Sequence, residues 1–440
     1  MVQKMGGGTF MNSPEINKSK ESQNPGRLNR ANSESSIDQD TRRYKVQFKI
    51  DVPLLLIVIA FLIIGLVMVY SASYDYSNIF YGSPGTIFFR QLVWMAIGLV
   101  TAVILTFFDY HRWRKYAVPA MGLTIFALIA VIIVNEVRNG AVRTLFGGSI
   151  QPSELAKLVI IIYLAVWLSA KRDKLGKIGF GLFPLAMILG LFGGLIIIQP
   201  DFSAVATIFI LGGLLFFLAG GDLKQIGILF AIALIIGGVI IQLSPTGATR
   251  IEYFLTGLMD PTKGSYHVRR SLEAIIKGGW FGVGIGKAET KLTGLPVPPT
   301  DSIFAVVGEE TGVFGSTIVV ILFALLLWRG FGIARSAHDQ LGMLLAAGLT
   351  LWISLEAFIN MAVMVNLMPF AGNALPFISA GGSNLTVTLA AVGIIFNISR
   401  LSESRKAEEG KSINAVIDLR RRNRRRRLSG SRRSAGSEKA

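Results

Sequence analysis

Asp301 ends the proline-stiffened run Leu295-Pro296-Val297-Pro298-Pro299-Thr300 and stands at the mouth of a long apolar stretch. Prolines fix φ and restrict the residue before each of them, so this loop cannot wander and its carboxylate is held in place. A carboxylate at a membrane boundary costs free energy unless it is solvated or paired, which makes Asp301 a candidate for chemistry. Asp also caps helices well through the backbone N–H groups that follow it, and the two roles can coexist.

A second constellation is Gln151-Pro152-Ser153-Glu154-Leu155-Ala156-Lys157. Pro152 and Ser153 suit a helix start, and Glu154 suits the positive end of the helix dipole. Lys157 follows Glu154 at i+3, so the two share a face one turn into the membrane. Such a pair either ties two helices together or offers a cation to an anionic headgroup, and the cost of an intramembrane lysine favours the second. Arg143 lies just upstream, and a guanidinium suits bidentate binding of a diphosphate where lysine acts as a point charge. Gln199-Pro200-Asp201 brings another carboxylate to the boundary, where Asp201 binds or caps. In Leu375-Pro376-Phe377-Ile378-Ser379-Ala380-Gly381-Gly382-Ser383 the chain breaks before its last apolar stretch. Ser379, Gly381, Gly382 and Ser383 there either present N–H groups to an anion or allow close helix packing. Glu309 and Glu310 lie inside the helix expected after Ser302, where one of them should face a polar cavity or partner. Phe281-Gly282-Val283-Gly284-Ile285-Gly286 is no dinucleotide fingerprint and reads as a flexible or closely packed loop.

The elements that position these groups are apolar. The chain of 440 residues is 52% hydrophobic and 16% charged, with a mean hydropathy of +0.55, the balance of an all-α polytopic membrane protein. Apolar windows at about 52–70, 89–108, 116–135, 155–169, 178–198, 203–219, 225–243, 303–328, 341–366 and 383–399 predict about ten spanning helices. Residues 1–50 are polar, without the apolar core of a signal peptide, and read as a disordered cytoplasmic arm; the first span is then kept as an anchor. With no cysteine, disulfides, thiolate nucleophiles and Cys-ligated metals are excluded, and His111, His267 and His338 are too scattered for a His-rich metal centre.

Charge sets the orientation. His111 to Lys115, Lys171 to Lys174, Arg329 to Arg335 and the basic tail 401–440 all fall on one side if the N-terminus is inside. From Arg400 onward fourteen Lys/Arg face five Asp/Glu. A tail after a final span suits anionic lipid headgroups rather than nucleic acid. The outside then receives 143–154, 199–201, 368–383 and a large loop of about 244–302, so polar chemistry gathers on the extracytoplasmic face.

In order and placement these motifs resemble the SEDS family (shape, elongation, division and sporulation), the FtsW/RodA group of peptidoglycan glycosyltransferases. The resemblance covers residues 51–400 and rests on Gln151 to Glu154 with Lys157, Gln199-Pro200-Asp201, Leu295-Pro296 with Thr300-Asp301, Gly308-Glu309-Glu310-Thr311-Gly312, and Leu375 to Ser379 with Gly381-Gly382-Ser383. Gln199-Pro200-Asp201-Phe202 leans towards the FtsW branch. Thr144 stands where the family usually has Trp, His267 where it often has Gln, the 143–151 loop is short, and Asn366 and Ala371 replace small or hydroxyl residues.

What the resemblance implies is polymerisation of lipid II on the outer face of the cytoplasmic membrane, in division or elongation, by an inverting displacement. Asp301 would be the general base for the acceptor hydroxyl. Arg143, Glu154, Lys157, Asp201, Ser379, Gly381, Gly382 and Ser383 would form the substrate site, with Arg, Lys, helix N-termini or a divalent cation (Mg or Mn) stabilising the leaving diphosphate. It also implies a class B penicillin-binding protein partner among divisome or elongasome proteins. A lipid II flippase and a non-catalytic divisome scaffold are the alternatives.

Overall fold

The computed structural model describes residues 50–134 and 151–405. Within them each expected apolar window coincides with a helix. In chain order these are α1 (Val52–Tyr81), α2 (Thr86–Phe107), α3 (Trp113–Val134), α4 (Pro152–Lys171), α5 (Leu182–Ile197), α6 (Phe202–Leu218) and α7 (Leu223–Leu243). After an interval come α10 (Ile303–Ser336), α11 (Gln340–Met364) and α12 (Gly382–Arg405). Eight of these ten are long and apolar enough to cross a bilayer, while α5 and α6 are shorter apolar helices of 16 and 17 residues.

The large loop is more structured than a solvated connection. Ser244-Pro245 starts α8 (Pro245–Met259), with the Ser244 hydroxyl accepting from Gly247 N, and Ser265 caps α9 (Tyr266–Gly278) by accepting from Val268 N. Both are side-chain N-caps of the kind that satisfies an orphan donor. In α9, Val268, Ser271, Ala274 and Gly278 are buried, and the helix packs on α10.

α10 also departs from expectation, because it is broken at Gly312 (φ 69°). A break inside an apolar segment frees backbone groups that lipid cannot satisfy. Four bonds repair it: Val283 N and Gly284 N donate to the Glu309 and Glu310 carbonyls (3.0 and 3.1 Å), and Val313 N and Phe314 N donate to the Gly279 and Trp280 carbonyls (2.9 and 3.1 Å). Of the alternating glycines, Gly282 is the closely packed one. A Cβ on Gly282 would lie 2.2 Å from the Glu310 carbonyl, and Gly282 sits at φ +79°. Both acidic side chains of the helix hold the same loop. Glu309 accepts from Glu289 N (2.9 Å), Thr290 N (3.2 Å) and the Thr290 hydroxyl, while Glu310 pairs with Lys291 (3.0 Å) and Ser71 (2.5 Å).

The bundle centre is α4, α11 and α12, with 67%, 78% and 78% of their apolar windows buried, against 6% for α7. α11 packs on α4, α6 and α10. The charged groups below are carried by these central helices and by the loops over one end of them.

Candidate active site

At that end a cavity of about 560 Å³ is bounded by the starts of α4, α6 and α12, by α8, α9 and α11, and by the loops before α10 and α12. Asp301, Glu154, Lys157, Asp201, Gly381, Gly382 and Ser383 all line it, joined by Arg250, His267 and Glu356.

Ser302 occupies the N-cap position, and no side-chain capping bond forms there. What the loop does is fix the backbone beneath the carboxylate. The carbonyls of Pro299, Thr300 and Asp301 accept in turn from Ala380 N (2.8 Å), the Ser379 hydroxyl (2.7 Å) and Asn360 Nδ2 (3.0 Å). Ser302 adds a bond back to the Pro296 carbonyl (2.8 Å). Val297 and Phe377 flank this clamp at φ 43° and 66°, left-handed values that side-chain-bearing residues hold only when their surroundings impose them. The clamp preorganises the carboxylate on the cavity wall.

Glu154 and Lys157 meet as expected (2.9 Å), yet the lysine is shared. Its ammonium also bonds Glu356 of α11, and Asn384 Nδ2 donates to the other Glu154 oxygen (2.9 Å). All three charged groups are buried. The helix-tying role of this pair is therefore present, and Lys157 reaches the cavity as one cation between two carboxylates. Asp201 caps α6: one oxygen accepts from Ala204 N (3.3 Å) and the Ser203 hydroxyl (3.0 Å), the other from Gln151 Nε2 (3.2 Å) and the Ser153 hydroxyl (3.1 Å). It binds the α4 start to the α6 start.

The loop before α12 is engaged as well. Ser379 is off the cavity wall, accepting from Leu375 N (2.8 Å) and donating to Thr300. Gly381 N donates to Gln91 (3.2 Å), the Ser383 hydroxyl accepts from Gln151 N (3.1 Å), and a Cβ on Gly382 would lie 2.5 Å from the Trp94 indole. Ser379 and Gly381 are thus hydrogen-bonded within the protein, and Gly382 is closely packed against Trp94. Arg143 lies outside the described residues.

Sequence reasoning did not single out Glu356, Asn360 or Arg250. Each is a charged or amide group in a helix with no flanking Pro or Gly marker, and the signal that could have found Glu356 is the one that flagged Glu309: an acid in an apolar helix. Arg250 and His267 meet across Phe370, the guanidinium 5.5 Å and the imidazole 4.3 Å from its ring centre. Burial, reinforced by the Arg250 charge, lowers the His267 pKa to about 4, so the imidazole is neutral at pH 7. Among the described residues no group of three His, Asp or Glu side chains is placed to hold a metal ion, and Lys157 occupies the space between Glu154 and Glu356.

Residues 52–404 match the FtsW/RodA/SpoVE family, described as cell cycle proteins. The chain is 36% identical over 353 residues to a protein of Geobacter sp. (strain M18) named as a probable peptidoglycan glycosyltransferase FtsW, covering 79% of this chain and 96% of the relative. It is 36% identical over 358 residues to the stage V sporulation protein E of Bacillus subtilis (strain 168), covering 80% and 97%. Among solved structures, a chain from work on polymerization and crosslinking by a peptidoglycan synthase complex gives a TM-score of 0.66 at 26% identity, covering 80% of this chain and 98% of that one. The rod shape determining protein RodA of Thermus thermophilus shares the fold, with a TM-score of 0.60 at 24% identity over 80% and 98% of the two chains. The family match over residues 52–404, the 36% identity across nearly the whole length of these relatives and the eight membrane-length helices place this multi-pass membrane protein in the FtsW/RodA/SpoVE family.

Proposed function

We propose that this chain is an FtsW-like peptidoglycan glycosyltransferase that polymerises lipid II at the cavity carrying Asp301. The observation that carries the reading is the clamped Asp301 loop, which sets a carboxylate on the wall of the cavity that Arg250 and Lys157 also line. Asp301 takes the proton of the acceptor sugar's 4-hydroxyl as that oxygen attacks the anomeric carbon of the donor chain. The bond from that carbon to the diphosphate breaks, the electron pair leaves with the diphosphate, and the centre inverts in one displacement. General-base assistance of this kind contributes about a hundredfold to ten-thousandfold. Arg250, Lys157 and Arg143 are the cations for the departing diphosphate, and fixed charges of this sort act where charge develops.

Orientation follows from charge. The basic segments at 111–115, 171–174 and 329–335 belong to the cytoplasmic side, so both termini lie there and the cavity opens on the outer face of the cytoplasmic membrane. Lys287→Cys in this cysteine-free chain should react with an impermeant maleimide on intact spheroplasts; labelling only after lysis would reverse the orientation. The partner of this reading is a class B penicillin-binding protein, which cross-links the new strands. The deciding experiment is glycan synthesis from purified lipid II by the purified chain, with and without that partner. Lipid translocation across vesicles without glycan synthesis under either condition would favour the flippase alternative.

A further inference from the structure

Lys157 reaches the cavity already paired with two carboxylates, and a diphosphate brings more negative charge to the same point. We propose that Glu356 is a displaceable counter-ion: it competes with the lipid diphosphate for Lys157 and releases the ammonium when the diphosphate enters. The inference rests on the diphosphate reading above and names a positioning residue for it.

The two carboxylates are not equivalent. Glu154 is held on both oxygens, by Lys157 (2.9 Å) and by Asn384 (2.9 Å). Glu356 bonds Lys157 through one oxygen, and it has a second donor in waiting. Trp352 lies at i−4 on the same face of α11, fully buried; its indole N–H already faces the Glu356 carboxyl in a loose contact that falls short of a well-formed hydrogen bond. A buried donor without a well-formed bond is costly, so a carboxylate turning from Lys157 fully onto that N–H recovers part of what it gives up. The Trp352 ring, 5.7 Å from the Lys157 nitrogen, keeps the ammonium in place through the exchange. Two arrangements of one side chain, each with a partner, make the switch.

The test is binding of geranylgeranyl diphosphate to the purified full chain, alongside lipid II polymerisation by the same preparation. Glu356→Gln removes the competing charge at constant size. It should tighten diphosphate binding by about fivefold or more, within the usual range of coupling between two sites, and lower the KM for lipid II in step. The gain should vanish in a Lys157→Met background. Trp352→Phe keeps the ring and deletes the waiting donor, so it should weaken binding by about threefold and decides the matter if Glu356→Gln does not fold. Equal or weaker diphosphate binding by a folded Glu356→Gln protein overturns the inference while leaving wild-type polymerisation untouched. Absence of diphosphate binding by every variant also overturns it, and lipid II polymerisation by the same samples then reports separately on the proposed function.

Discussion

The two ends of this bundle treat buried charge in opposite ways. At the end away from the cavity, carboxylates are matched. Asp51 takes a bidentate contact from Arg329 (2.9 and 2.6 Å), a hydroxyl from Ser399 (3.0 Å) and the N–H of Leu54 (3.2 Å), locking α1, α10 and α12 together. Asp339 is met by the Tyr110 hydroxyl (2.7 Å), Gly342 N (3.0 Å) and Arg114 (3.4 Å). At the cavity, among the described residues, two carboxylates share one lysine and Asp201 is held by neutral donors. Matched charge at one end serves the fold. Acid in excess among the described residues, held over a cavity, is the pattern expected of a functional site.

The comparison can be broken at its most sensitive point first. Asp301→Asn keeps size and hydrogen bonding, so glycan synthesis from lipid II should fall about a hundredfold to ten-thousandfold while the melting temperature is unchanged. Near-normal synthesis would leave Asp301 as a structural residue. Next, removing one partner of a buried pair costs about 3–5 kcal/mol at either end, but the two ends should differ in activity. Arg329→Met should lower thermal stability and leave the activity of the folded fraction intact, whereas Lys157→Met should lower both. Equal activity in the two folded variants would erase the distinction between the ends. A smaller effect belongs to Ser379→Ala, which deletes the bonds to Thr300 and Leu375: about 1–3 kcal/mol of stability, with a loss of kcat from a misplaced Asp301 loop. The smallest concerns pH. His267 binds its proton more weakly folded than unfolded, so its contribution to stability is full above about pH 6.5 and declines as pH falls towards 4. His267→Gln should therefore lose less melting temperature than wild type between pH 7 and pH 5.

Charges stood out in the sequence because the background is apolar. Asp301, Glu154, Lys157 and Asp201 could be read as boundary groups, and all four line the cavity. Their partners could not be read. Glu356 is 199 positions from Lys157, and Asn360 is 59 from Asp301, so only tertiary packing brings them together. Ser379 and Gly381 carried a true signal with two meanings: an N–H or hydroxyl beside a helix start can serve an anion or a neighbouring backbone, and here Thr300 and Gln91 take them. The ten apolar segments were legible from length and hydropathy, but the break in α10 was not, because Gly312 is unremarkable in a run that continues as helix on both sides.

That break has a consequence for biogenesis. Four of the amides and carbonyls at the α10 break find their partners in residues 279–284, a segment synthesised earlier and belonging to the loop over the cavity. Hydrocarbon offers no substitute partners. α10 therefore cannot settle in the bilayer as an independent unit of insertion. Residues 279–284 must dock before the part of α10 between Ile303 and Gly312 is complete, so assembly of the helix and closure of the cavity are a single event.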